Sequence, residues 1–440
     1  MRDKWGGWPE INLPSTGFFR LWNSEGRWWF VTPDGSAFLS HGLNHVYDFL
    51  LYQPYNRSHW AAHFGLPETS PDEAFLAPFR KKVMADCVRL GCNTLGCHSP
   101  VGYYPESFIP YVYTLPMVNI CHYMTPSEED FHDVFSSAFA RHCDQVAQEH
   151  VAPRSRDPFL IGYSLTDCPV WTEEDAAPRG KRVFGSPRPG LPTWPRVLRN
   201  LGPDSPGKQA YVNTVRELHG DDIHAFNDVY GTNFNSFNEV LRTVNWRPQK
   251  DLQNSAERRD NAAFLARIVD KAYETICAAI RRHDPNHLIV GDKLNGNSNV
   301  PDTLLRLAGK HFDLAFYQLY GLWDEHRRFI ERLHRLTGKP VFCGDASVSV
   351  PNPHMPDPLG PHCASQEERA EVFEDLYRNA FARPEFVGWS WCGWLDSWQE
   401  RQPEKQHSGI QDPFGVFYPI AEAMDDFSER MYEVARGIVG

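Results

Sequence analysis

The sequence predicts a (β/α)8 TIM barrel of the α/β class, with an N-terminal β-hairpin extension and a long insertion after the fourth strand. Three observations predict it. Eight short apolar runs alternate with helix-length amphipathic stretches, and strands separated in this way pair in parallel, because a parallel neighbour needs a crossover of a dozen residues or more. The length of 440 residues suits one decorated barrel. No Gly-rich phosphate loop follows an early strand, as a doubly wound open sheet would more often show.

The elements follow in chain order. Residues 17–22 and 27–31 alternate in polarity around the turn signals Ser24-Glu25-Gly26 and Pro33-Asp34-Gly35, which predicts an antiparallel lead-in over 1–36. The barrel is expected over 37–440. Its strands are read at 37–44, 94–98, 117–122, 159–166, 287–292, 314–318, 341–344 and 386–391. Apolar residues recur at helix spacing over 73–90, 130–150, 257–283, 323–337 and 365–382. The stretch 168–256 breaks the alternation and opens with a segment rich in Pro, Gly and Arg. It is expected to fold as an excursion over the active-site face, where long loops shape substrate access.

Composition bounds the partners. The chain is 41% hydrophobic and 23% charged, and no apolar run is long enough to cross a bilayer. The net charge of −12 is unbroken by any Lys/Arg cluster, so the phosphate-neutralising surface that nucleic acid requires is missing. A carbohydrate is the expected partner, with no nucleic acid and no membrane, and a homo-oligomer is left open. The ten cysteines are scattered without a C-x-x-C pair; they read as reduced structural thiols, and with the polar N-terminus they favour the cytoplasm. No cofactor is expected. No metal is expected either, since HExxH and comparable ligand spacings are absent.

In this fold the strand ends carry the chemistry. The residues there are Asn44 and His45, His98, His122 and Tyr123, Asp167, Asp292 with Lys293 and Asn295, Gln318 and Tyr320, Asp345, and Trp391 with Trp394 and Asp396. Any loop begins with polar residues, so type matters more than polarity. Histidines, carboxylates, amides and aromatic rings together describe a pocket that hydrogen-bonds hydroxyls and stacks on sugar faces. The expected substrate-binding set is therefore Asn44, His98, His122, Asp292, Lys293, Asn295, Gln318, Tyr320, Trp391 and Trp394. Glycoside cleavage needs two carboxyl groups, and Asp167 and Asp345 are the best pair because each directly follows an apolar strand. Structural roles stand beside these: Asp345 as a turn cap, Asp292 as the partner of Lys293, His98 and His122 as satisfied barrel histidines, and the tryptophans as a core-facing strand.

Several motifs also carry a resemblance. Gly17-Phe-Phe-Arg-Leu21, Gly26 through Gly35, His41-Gly-Leu-Asn44, Gly91-Cys-Asn-Thr-Leu-Gly96, Phe226-Asn-Asp-Val-Tyr-Gly-Thr232, Lys339-Pro-Val341 and Val387-Gly-Trp-Ser-Trp391 resemble β-agarases and related members of the retaining-glycosidase clan that also holds β-galactosidases. The resemblance spans nearly the whole chain and implies the barrel. It also implies an acid/base Glu after Asn at the end of strand four and a nucleophilic Glu ending strand seven. This chain reads Thr166-Asp167-Cys168 and Gly344-Asp345 instead, with Asp167 at the Asn position and Cys168 at the Glu position. Either Asp167 has taken over the acid/base role or the usual retaining mechanism does not operate. The expected function is hydrolysis of a β-linked oligosaccharide or small glycoside, galactose-containing ones included. The alternatives are elimination or transfer on a sugar, and a non-catalytic carbohydrate-binding barrel.

Overall fold

The computed structural model describes residues 2–99, 109–118, 120–121, 126–171, 192–246, 256–398 and 407–438. Four strands, β1 (Trp8–Asn12), β2 (Arg20–Ser24), β3 (Arg27–Val31) and β4 (Ser36–Phe38), form an antiparallel sheet in the order β1-β4-β3-β2. The predicted hairpin is its β2–β3 pair. Eight further strands form a closed parallel barrel: β5 (Ser40–Asn44), β6 (Thr94–Leu95), β7 (Tyr111–Thr114), β8 (Leu160–Asp167), β9 (Leu288–Asn295), β10 (Ala315–Gln318), β11 (Val341–Ala346) and β12 (Phe386–Cys392). Parallel pairing of β12 with β5 closes it.

Seven of these strands overlap the predicted runs; the third does not. The expected strand 117–122 gives way to Tyr111–Thr114. Pro116 has no N–H to offer the ladder, and the chain turns there, with the Met117 N–H bonded to the Leu115 carbonyl. Cys121 then makes only an isolated antiparallel bridge with Pro169.

The barrel has two apolar layers. Val112, Ile161, Val290, Phe316, Phe342 and Val387 fill its interior toward the strand starts, and Phe30, Phe38, Phe19 and Trp5 of the N-terminal unit join them. The small sheet thus stoppers the end opposite the C-terminal strand ends. Outside, Leu43, Tyr163, Ile289, Tyr317, Trp389 and Trp391 pack on the helical ring. That ring includes the helices Leu76–Arg89, Ala256–His283, Trp323–Thr337, Gln366–Phe381 and Ile420–Ala435.

The described part of the insertion folds into the helices Trp194–Arg199, Pro206–Leu218, Ile223–Tyr230 and Phe237–Arg242. They pack on the first half of Ala256–His283, through a buried Arg199–Glu257 ion pair at 2.6 Å, a His219–Asp260 contact at 2.7 Å and the Tyr211 and Phe264 rings. The Pro/Gly/Arg-rich opening, from 172 to 191, lies outside the described residues. All ten cysteines are free, and all but the half-buried Cys277 are buried. Among the described residues no helix is long and apolar enough to cross a membrane.

Candidate active site

Strand residues alternate between faces, and a bulge resets that alternation. Such resets decide which side chains enter the barrel mouth. In β9, Val290 faces the interior and Ile289 the helices, so plain alternation would send Asp292 inward and Lys293 outward. Gly291 stands at φ 87°, and the register against β8 shifts beside it. A Cβ there would lie 2.2 Å from the Phe312 ring, so both space and backbone require glycine. Beyond it Asp292 turns out of the barrel, accepting from Tyr273 Oη at 2.6 Å and the Thr166 N–H at 2.9 Å. Lys293 turns in. In β11, Phe342 faces the interior and Cys343 the helices, and a register shift between Cys343 and Ala346 brings Asp345 inward as well.

Lys293 is the hub. Its ammonium lies 2.8 Å from Asp167 Oδ1 and 3.0 Å from Asp345 Oδ2, and is in hydrogen-bond contact with His98 Nε2. Two oxygens on one nitrogen cannot be further apart than the two legs laid end to end, so the carboxylates approach within about 5.8 Å. His98 Nε2 is 3.4 Å from Asp167 Oδ2 and 3.7 Å from Asp345 Oδ2. His45 Nε2 lies 3.3 Å from Asp345 Oδ2, and its ring stacks on His98 at 4.7 Å and on His407 at 4.2 Å. His45 also sits at φ 54°, a left-handed conformation that costs a non-glycine residue energy and tends to occur where a side chain must be aimed. Cys392 Sγ is 3.1 Å from His407 Nδ1 and accepts from Tyr320 Oη at 3.0 Å.

The charges are locked together. Burial alone would raise the Asp345 carboxyl, but Lys293, with His45 and His98, holds it well below its ordinary value. Burial opposes the Lys293 ammonium, yet Asp167 and Asp345 keep it charged far above the ordinary lysine range. For His98, burial lowers the imidazole while Cys97 and Asp167 outweigh it, giving a net upward pull. Lys293 and His98 cannot both hold a proton between their facing nitrogens, so one proton serves that contact and the pair titrates as a unit. Burial lowers His45 and His407, leaving both imidazoles neutral at neutral pH.

The predicted residues divide accordingly. Asp167, Asp345, Lys293, His98 and Tyr320 meet at the mouth. Gln318 is paired in register with Asp345, and its buried Nε2 has no protein partner among the described residues. Asn44 is occupied by the scaffold: it donates to the Gly344 carbonyl at 2.5 Å and accepts from the His98 N–H at 3.0 Å, tying three strand ends together. Asn295 caps its own turn by accepting from the Asn297 N–H.

Asp292 lies outside the pocket, and so do Trp391 and Trp394. Val387 faces inward and Trp389 outward, so the register shift within β12 leaves Trp391 among Phe373 and Tyr377 of the helical ring. Trp394 buries its ring against Phe79 and donates to Asp86 at 2.8 Å. His122 lies outside the described residues. Cys168, at φ 47°, is a buried thiol pushed well up by burial and by Asp167, so it is no acid near neutrality. Sequence reasoning missed Cys392 and His407. The first reads as the apolar end of a strand, and the second sits in a loop that no strand pattern announces.

No family model matches the chain. Among curated proteins it is similar to beta-agarase B of Vibrio sp. (strain JT0107), 21% identical over 98% of this chain and 50% of the relative. Beta-agarase A of the same organism is 22% identical over 70% of this chain and 31% of the relative. The chain thus spans at most half the length of these two relatives. Among solved structures, an exo-beta-agarase superposes with a TM-score of 0.76 at 18% identity, covering 99% of this chain and 68% of the other. A beta-galactosidase from the psychrophilic Marinomonas ef1 superposes with a TM-score of 0.54 at 11% identity, covering 84% and 59%. At these identities the likeness establishes the shared barrel fold.

Proposed function

We propose that this chain is a glycoside hydrolase that cleaves β-linked glycosides, galactose-containing ones among them, with retention of configuration. The observation that carries the proposal is the Asp167–Asp345 pair at the ends of the fourth and seventh barrel strands, with oxygens within about 5.8 Å. Retaining enzymes hold their carboxyl groups about 5–5.5 Å apart, whereas inverting enzymes leave roughly 6.5–9.5 Å for a water. Similarity to two beta-agarases along the sequence supports the same reading.

The roles follow from charge. Asp345, ionised by Lys293, is the nucleophile that bonds to the anomeric carbon. Asp167, beside His98, is the acid/base, with the shared proton of the His98–Lys293 pair as the reservoir for the leaving oxygen. When Asp345 becomes an ester its charge disappears. The leaving oxygen has carried off the shared proton, so the His98–Lys293 pair is then neutral while Asp167 stays ionised, a base that takes the incoming water's proton and returns it to the pair. Gln318 offers its unpartnered Nε2 to a sugar hydroxyl.

The test is product analysis on β-galactosides and agar-type oligosaccharides with the unaltered protein and with Asp345→Ala. Hydrolysis with retained configuration, abolished in a folded Asp345→Ala variant, is the expected result. Undiminished turnover in that variant would sink the assignment. One observation favours a second reading: a lysine in contact with both carboxylates and an imidazole is also equipped for proton abstraction and elimination. A product with a new carbon–carbon double bond, and no added water, would select it.

A further inference from the structure

We infer that His45, Cys392 and His407 form a zinc-class metal site on the wall of the mouth. Their ligand atoms lie within 4.8 Å of one another, and Cys392 Sγ is already 3.1 Å from His407 Nδ1. Zn–S and Zn–N bonds of about 2.3 and 2.0–2.1 Å set sulfur and nitrogen roughly 3.5 Å apart around a tetrahedral ion, so this edge needs only a few tenths of an ångström of adjustment. One sulfur with two imidazoles is a donor set that suits zinc rather than magnesium or calcium.

Two further features fit. His45 Nε2 faces Asp345, the arrangement in which a metal-bound histidine hands its other ring nitrogen to a carboxylate. The left-handed backbone at His45 is a cost that aiming its ring would justify. Net charge points the same way. Asp167 and Asp345 face a Lys293–His98 pair that carries one positive charge, which leaves the buried group one charge negative. A dication held by one thiolate supplies the missing positive charge.

A second trio, His45, His98 and Asp345, is equally compact. The Lys293 ammonium touches both His98 and Asp345 and fills that space, so the ion belongs with Cys392. Binding converts the Cys392 thiol to a thiolate and releases one proton to solvent for each ion bound.

The experiment is Co2+ titration of the untagged, chelator-treated full chain, read by absorption and proton release without any turnover. The expected result is one Co2+ per chain, displaced by Zn2+, with a sulfur-to-cobalt charge-transfer band and one proton released. Cys392→Ser should erase the band, and His407→Ala should weaken binding tenfold or more. His407 is half-buried in a loop, so its variant carries the test should Cys392→Ser fail to fold. Cys277→Ser, at a distant thiol, should leave binding unchanged. Absence of stoichiometric binding, or a band that survives Cys392→Ser, overturns the site. So does cobalt binding lost on His98→Ala but kept in Cys392→Ser.

Discussion

In a His98→Gln background, where no imidazole can take over the shared proton, replacing Lys293 with Met removes the cation between two buried aspartates while keeping most of the side-chain volume. Asp167 and Asp345 then face each other within about 5.8 Å. At an effective dielectric constant of about 20, two unit charges at that distance repel by roughly 3 kcal/mol, a gain of about a hundredfold in proton affinity for one of them. Breaking a buried ion pair on one side costs about 3–5 kcal/mol at neutral pH.

The pH dependence is the diagnostic part. In the unaltered protein the Asp345 carboxyl is depressed, so its contribution is complete above the ordinary value of 3.8 and is lost only as pH falls below it. Lys293 is raised above 10.5, so its contribution is complete below that value and fades only as pH rises through its folded value. Between about pH 8 and about pH 5 neither group changes stability. With Lys293→Met in the His98→Gln background one carboxyl instead takes up a proton across that window, and the folded state regains up to about 1.4 kcal/mol. Denaturant unfolding of His98→Gln with and without Lys293→Met at the two pH values measures this. The gap between them should narrow on acidification. A gap that stays constant or widens would falsify the view that Lys293 works as the counter-ion of both carboxylates.

Other outcomes follow from the same geometry. Asp292, raised by burial to about 6 against its bonds from Tyr273 and Thr166, favours the folded form as pH falls through that value. Asp292→Asn should flatten this dependence in unfolding curves while leaving turnover unchanged, because the residue faces away from the pocket. Trp394→Phe loses the bond to Asp86 and should cost about 1–3 kcal/mol of stability without altering KM. Gln318→Ala, in contrast, removes a donor with no protein partner among the described residues. The truncation also leaves a cavity at this buried position, and the folded variant should bind sugar roughly tenfold more weakly in calorimetric titration.

The sequence by itself determined the barrel, since eight apolar runs spaced by helix-length stretches allow few other closed arrangements. It also pointed to Asp167 and Asp345, because the end of a long apolar run marks the mouth wherever the strand lies. One strand was misplaced, where the apolar run after Pro116 outweighed the shorter Tyr111–Thr114 segment before it. What only the tertiary structure decided was facing. Alternation has a period of two, so one extra residue in a strand exchanges pocket and helix-facing positions for every residue beyond it. The bulge at Gly291 exchanges Lys293 for Asp292. The shift within β12 turns Cys392 toward the mouth and Trp391 toward the helices. His407 joins them from a loop with no periodicity at all. These bulges arise from packing against neighbouring strands and Phe312, which no local pattern contains, and so the residues of the mouth become legible only once the barrel has closed.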